Sequence, residues 1–316
     1  MITLAQSKEG VNDKVYSKVI DIFIQESEIL EMLPFDNAVN SNGGSTLIYG
    51  YVQEKTPSQA AFRAIGSEYT PNEATVEKKT AQLAIFGGSF EIDRVIRDLK
   101  SQFNNLEYQL RKKIQAAVAL FHDGMINGDV AVNENAFDGL DKMLTGTKSE
   151  FGADGQIDIS TKTALEANAS DLYEKLTMII NKTGAHALLC NESAKTKIQT
   201  VARYLGYKTE SEEAFGRTIE KMGNVRIVDL KNKVDENGVE TPIIPVTEGL
   251  TDIYAIRFDV NDGFHGVSLN GNKVVDTYLP DFNTPNALKK GEVEMVACVA
   301  LKNTNAAAVL RNVKVS

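Results

Sequence analysis

Along the first part of the chain apolar residues recur at Val11, Val15, Val19, Ile22 and Phe23, behind Asn12 or Asp13 as a cap. That spacing predicts a short amphipathic helix, which Pro34 and Gly43-Gly44 then end. From Ser45 to Phe86 the pattern changes to two β-like runs, residues 46–53 and 75–85, around a polar stretch that contains Pro57, Gly66 and Pro71. Some twenty polar residues are too many for a tight hairpin and too few in apolar side chains for a core of their own. An extended loop that needs a neighbour to lie on is predicted, with Gly87-Gly88 punctuating its end.

The strongest periodic signal follows. Ile92, Ile96, Leu99, Phe103, Leu106, Leu110, Ile114, Ala117 and Phe121 form one apolar stripe over about Asp93 to Asn127. This predicts a helix of about 35 residues, roughly 50 Å long. A stripe that stops after about five heptads between β-rich segments favours packing along a sheet over a coiled coil. Beyond it, Phe137 to Asp141 and a Gly-rich connector from Thr145 to Ser160 precede a helix carrying Leu172, Leu176, Ile179 and Ile180, with Asp171 and Glu174 as a capping-box-like start. A strand over Ala185 to Cys190, a helix from Asn191 to about Arg203, a strand over Asn224 to Leu230 and a turn at Asp235 to Gly238 come next. The last third reads as strands at 251–257, 273–278, 292–301 and 307–315. The fold class is α+β.

Composition narrows the function. The 316 residues carry 34 Lys plus Arg and 43 Asp plus Glu, a net charge of −9, which argues against a dedicated nucleic-acid binder. Cys190 and Cys298 each sit in an apolar run and read as buried thiols. The N-terminal residues lack the basic and apolar regions of a signal peptide, and no stretch approaches the ~20 apolar residues of a membrane span. Synthesis in a cytoplasm and no membrane partner are the expectations.

Catalytic motifs are not found. Gly146 is followed by Thr147 without Walker spacing, no G-x-G-x-x-G opens a helix, and residues 87–91 lack the closing Gly of a serine-hydrolase elbow. Cys190 and His186, four apart on one strand, stand about 13 Å apart and read as two core residues. His122, His186 and His265 are dispersed, and Asp252, Asp259 and Asp262 do not follow a calcium loop, so no metal, cofactor or catalytic residue is assigned. Arg111, Lys112, Lys113, Lys289 and Lys290 read as solvated or inter-subunit charges.

The segment Glu26 to Phe35, the runs Thr46 to Tyr51 and Ala60 to Ala64, Gly87 to Asp93 and Phe137 to Asp141 resemble the major capsid protein of tailed bacteriophages, and the order of parts resembles the Hong Kong 97-type capsid fold from end to end. The resemblance implies an N arm at 1–44, an E loop at 45–88, a peripheral domain with its spine helix at 89–145, an axial domain at 146–250, and return strands at 251–316 that complete the peripheral domain and are partly axial. It implies a structural protein and not an enzyme, assembling with copies of itself as pentamers and hexamers into an icosahedral head around double-stranded DNA without reading its sequence. Arms and loops reaching over neighbours make Val15, Phe23, Tyr49, Lys55, Phe62, Arg63 and Lys78 the candidate inter-subunit contacts. A portal protein, decoration proteins and a separate scaffolding protein are further implied partners, the last because no long scaffolding segment leads the chain. Lys55, Lys78 and Lys79 are available for a crosslink, for which no partner residue is assigned. The alternatives are an encapsulin-type nanocompartment shell of the same fold, disfavoured by the stretch around Leu33, Pro34 and Phe35; an enzyme using Cys190 or an acidic pocket; and a coiled-coil binding module.

Overall fold

A computed structural model describes residues 14–38, 47–56, 58–71, 73–95, 105–207, 210–214, 217–235, 237–269, 274–283 and 285–316. The N-terminal segment folds as helix α1 (Lys14–Glu26), helix α2 (Glu28–Met32) and strand β1 (Phe35–Asn37). The break between the helices comes at Ser27, ahead of Pro34, because the Ser27 hydroxyl accepts the Leu30 N–H and starts a new helix. Val11, Asn12 and Asp13 lie outside the described residues. Strands β2 (Ile48–Thr56) and β3 (Thr75–Gln82) pair antiparallel, and strand β4 (Ala84–Asp93) follows after Leu83. Gly87 and Gly88 therefore do not end the loop but lie within β4. A Cβ on Gly87 would stand 2.0 Å from the Val293 carbonyl oxygen, so this strand approaches its neighbour closely only with glycine there.

Helix α3 (Asn105–Asn127) carries the predicted stripe from Leu106 to Phe121 and ends where the periodicity ends. Ile96, Leu99 and Phe103 lie outside the described residues, and Ile92 is a buried residue of β4 rather than the first of the stripe. After helix α4 (Leu140–Leu144) come the short strands β5 (Glu150–Phe151) and β6 (Ile157–Asp158), then helix α5 (Lys162–Thr183). This helix starts nine residues before the predicted Asp171, since the Thr161 hydroxyl accepts the Ala164 N–H and the intervening Ala-rich residues continue the helix. Strand β7 (Ala187–Cys190), helix α6 (Glu192–Tyr204) capped by Asn191, the hairpin of β8 (Glu210–Ala214) and β9 (Arg217–Met222), and β10 (Val225–Asp229) follow. A small hairpin, β11 (Asn232–Val234) with β12 (Glu240–Pro242), turns at Asp235 to Gly238 as predicted. The chain ends with β13 (Leu250–Ile256), β14 (Phe264–Ser268), β15 (Val275–Tyr278), β16 (Leu288–Leu301) and β17 (Ala307–Lys314).

Apart from the two-stranded β2–β3 and β11–β12 pairs, the described strands form two larger sheets. In the first, the long β16 pairs with β4 along one edge, from Leu288 opposite Asp93 to Ala297 opposite Ala84, and with β14 and β15 along the other, while β1 adds parallel to β14. Helix α3 packs on this sheet, as its stripe predicts, with Phe86 and Phe121 stacked at 5.8 Å and Phe137 6.1 Å from Phe121. Gly139 lets the chain cross the end of α3, where a Cβ would meet the Ile126 carbonyl oxygen at 2.5 Å.

The second sheet runs β5-β17-β13-β7-β10-β9-β8, with β6 also on β17. Strand β7 is buried on both faces: Ala187 and Leu189 join the core that α1, α2 and α3 share, while Leu188 and Cys190 join the core under α5 and α6. A central strand covered twice carries no alternation of apolar and polar residues, as 187–190 show. Of the last-third strands, β13 and β17 thus pair in the sheet of β7, and β14 to β16 pair in the sheet of β4.

Arg311 on β17 ties helix α4 to the second sheet. Its guanidinium donates to Asp141 of the α4 segment, to Glu150 Oε1 at 2.9 Å and to Asp252 Oδ2 at 2.7 Å. Burial disfavours the charge, but the bonds to Asp252 and Asp141 outweigh it and hold Arg311 protonated more firmly than an isolated guanidinium.

Candidate assembly surfaces

The β2–β3 hairpin has two unlike ends. Near its base, alternate side chains of β2 face the body: Tyr51 is buried and Tyr49 and Gln53 are half-buried, while Ile48 and Val52 point away and are exposed. The Tyr49 hydroxyl donates to Asp36 Oδ2 at 2.7 Å, and its ring meets His265 edge-on at 6.0 Å. Gln53 Nε2 donates to the Leu301 carbonyl at 2.8 Å. Burial, then the bond to Asp36, pushes the Tyr49 phenol well up; burial pushes Tyr51 up to about 12. Beside the base, a cleft of about 580 Å³ opens between the hairpin and residues 130–147, where Lys142 pairs with Asp129 at 2.6 Å and Asp138 at 2.7 Å.

Toward the tip every described residue from 58 to 74 is exposed. Phe62 and Ile65 are as open as in an extended peptide, at 108% and 105%. Among the described residues its polar contacts are local: Ser67 N–H donates to the Ala64 carbonyl at 3.2 Å, and the Arg63 guanidinium donates to the Ser67 carbonyl at 3.0 Å and lies 5.4 Å from the centre of the Tyr69 ring. Covering Phe62 and Ile65 is worth roughly 1.5–3 kcal/mol each, an affinity unused among the described residues.

The seven candidate contacts divide accordingly. Phe62, Arg63 and Lys78 are exposed along the hairpin, and Tyr49 anchors its base. The backbone of Val15 is in α1 and that of Lys55 in β2, and their side chains lie outside the described residues. Phe23 is fully buried in the chain's own core, so its apolar surface is already covered by the fold. The structure adds Tyr51, Gln53 and Asp36 as the residues that set the hairpin on the body. A period of two through Tyr49, Tyr51 and Gln53 was the sequence signal for their shared face.

The chemistry considered from sequence is not assembled. Cys190 is buried between β10 and the α6 side, its thiol directed at the Val228 carbonyl at 3.7 Å and raised by burial. His186, expected in the core, is exposed, and its Nδ1 accepts the Phe258 N–H at 3.2 Å. Cys298 is buried as well, pushed up to about 12. Among the described residues no group of three His, Cys, Asp or Glu is placed to hold a metal ion, and no helix is long and apolar enough to cross a membrane.

No protein-family model matches the chain, and no curated protein matches it. Solved structures do match in fold. The holo-SrpI encapsulin complex from Synechococcus elongatus is similar with a TM-score of 0.61 at 17% identity, covering 92% of this chain and 88% of that one. The capsid of a native GTA particle is similar with a TM-score of 0.54 at 14% identity, covering 92% and 90%, and a structure from Mycobacterium phage Bobi with 0.55 at 12%, covering 90% of each chain. The chain has the Hong Kong 97-type capsid fold, as the order of its parts in the sequence implies.

Proposed function

We propose that the chain is a shell-forming subunit, the major capsid protein of a tailed-phage head, which associates as pentamers and hexamers into an icosahedral particle around double-stranded DNA. The observation that carries this reading is the hairpin segment of residues 58–74, whose described residues are all exposed and include Phe62 and Ile65, the most open of the large apolar side chains described. A neighbouring copy supplies the missing cover, with Phe62, Arg63, Lys78 and the arm residue Val15 at the contacts. In this reading 1–44 act as the arm, 45–88 as the extended loop, 89–145 as the spine side of the peripheral domain, 146–250 as most of the axial domain, and 251–316 as return strands to both. A separate scaffolding protein, a portal and decoration proteins complete the virion, and the subunit is made in the host cytoplasm.

A second reading, an encapsulin-type compartment enclosing protein cargo, is supported by the likeness to the encapsulin complex over nine-tenths of the chain. Light scattering behind size exclusion, with negative-stain microscopy of the largest fraction, separates the outcomes for protein made with and without neighbouring genes. Closed particles that require a scaffold and hold DNA fit the phage head. Closed particles formed by the chain alone around protein fit the compartment. A monomer under every condition overturns both.

A further inference from the structure

The N-terminal helices are held to the body by apolar burial, by polar contacts at their edge, among them Arg226 with Glu31 at 3.3 Å, and by a buried polar contact at their centre. Val19, Ile20, Phe23, Ile29 and Leu30 are fully buried against the body. Between them Ser27, only 1% exposed, stands 2.7 Å from Nε2 of His122, an α3 residue itself 4% exposed. On the far side of the ring, His122 Nδ1 lies 3.4 Å from the Leu230 carbonyl at the end of β10. A carbonyl only accepts, so Nδ1 carries the proton and Nε2 offers its lone pair to the Ser27 hydroxyl. That hydroxyl oxygen in turn accepts the Leu30 N–H that starts α2. One neutral imidazole therefore ties three separated parts of the chain together.

We propose that His122 is a pH-sensitive latch, which fastens helices α1 and α2 to the body while its ring is neutral and loosens them when the ring is protonated. Protonation takes away the lone pair that receives the Ser27 hydroxyl and leaves a charge without a carboxylate partner, since both ring nitrogens face neutral groups. The charged groups around the ring do not rescue it. Lys231, beside Leu230, is a cation, and its ammonium donates to the Glu26 carbonyl at 3.4 Å. On the arm, the Glu26 carboxylate accepts from Gln115 at 3.1 Å, and Glu28 opens α2. On α3, Asp123 is paired with Lys233 at 2.9 Å. Burial, ahead of every other cause, lowers the ring from 6.5 to about 4. With the helices undocked the ring regains its ordinary affinity for protons, so docking is at full strength above pH 6.5 and weakens as pH falls toward 4. Between pH 7.5 and 5.0 the open fraction rises about 30-fold, from the ratio of proton binding by the two states.

Hydrogen exchange of the full chain, in one size-selected fraction, reads this directly when exchange times are corrected for the intrinsic pH dependence. At pH 5.0, above the ordinary carboxylate range, amides of residues 19–32 should lose about 30-fold of their protection while those of β16 hold theirs. His122→Gln, which keeps an acceptor and cannot titrate, should remove most of that pH response. Unchanged protection in the wild type, or an equal loss in the variant, overturns the proposal. Should the variant not fold, the His122 ring proton resonance of the wild type decides: a midpoint near 6.5 overturns the latch, and a ring still neutral at pH 5.0 in the docked state, alongside falling arm protection, supports it.

Discussion

Phe121 and Phe62 are the same residue type in opposite situations: one lies inside the layer between α3 and the sheet of β4 and β16, the other stands fully open near the tip of the β2–β3 hairpin. The first stabilises the chain that carries it; the second can stabilise only a contact with something else. The fold is thus divided into a part that finishes its burial within one copy and a part that does not. The hairpin's base belongs to the first kind and its tip to the second, although a single pair of strands connects them. The comparison predicts that the effect of a substitution on the isolated chain falls with distance from the spine layer.

The largest effect is expected at the spine. Phe121→Ala opens a cavity between Phe86 and Phe137 and should cost about 3–5 kcal/mol, measured by urea unfolding of the unassembled chain. A loss below about 1 kcal/mol would erase the contrast with Phe62.

Next comes acid. His265 lies under Tyr49 on β14, with Asp36, Asp259 and Lys302 the nearest charges, and burial lowers its ring from 6.5 to about 4. A depressed histidine contributes stability that is complete above the unfolded value and is lost as pH falls toward the folded one. The hairpin base should therefore lose about 2–3 kcal/mol between pH 7.5 and 4.5, and His265→Phe should flatten that part of the profile of unfolding midpoint against pH. Equal slopes in the two proteins would remove His265 from the base's anchoring.

A smaller step tests the anchor itself. Tyr49→Phe deletes the hydroxyl that donates to Asp36 and leaves the ring in place. It should cost roughly 1 kcal/mol and raise hydrogen exchange in β2 and β3. Exchange that stays at the wild-type level would mean that Tyr51 and Gln53 seat the hairpin without it.

The sequence made some of this division readable. A stripe with steps of three and four residues marked α3, because one face of that helix is buried and the other wet, and the long polar run between two β-like segments marked a loop with nothing of its own to lie on. The order of elements carried the fold class. Strand β14 was not visible, since Phe264 to Ser268 contains Gly, His and Ser and is strand-like only because β1 and β16 flank it. The start of α5 was misplaced for a related reason: Thr161 and Asp171 both suit a cap, and only packing decides which is used. The His122 contact had a local signal on one side only, in Ser27 ahead of Glu28 and Ile29. Nothing in the sequence joins positions 95 residues apart.

The smallest effect on the isolated chain is expected at the tip, and it is the most discriminating. Phe62→Ser with Ile65→Ser removes no contact within one copy, so the unfolding midpoint should move by less than about 0.5 kcal/mol. Assembly should respond differently. If these side chains are covered by a neighbouring copy, the double variant loses roughly 1.5–3 kcal/mol per side chain at every such contact, and large particles give way to rings or single subunits in light scattering. Wild-type particles from the double variant would mean that the tip's exposure is not the surface through which copies meet. A large loss in the isolated chain would mean that the tip folds back on its own body, and the contrast between Phe121 and Phe62 would no longer hold.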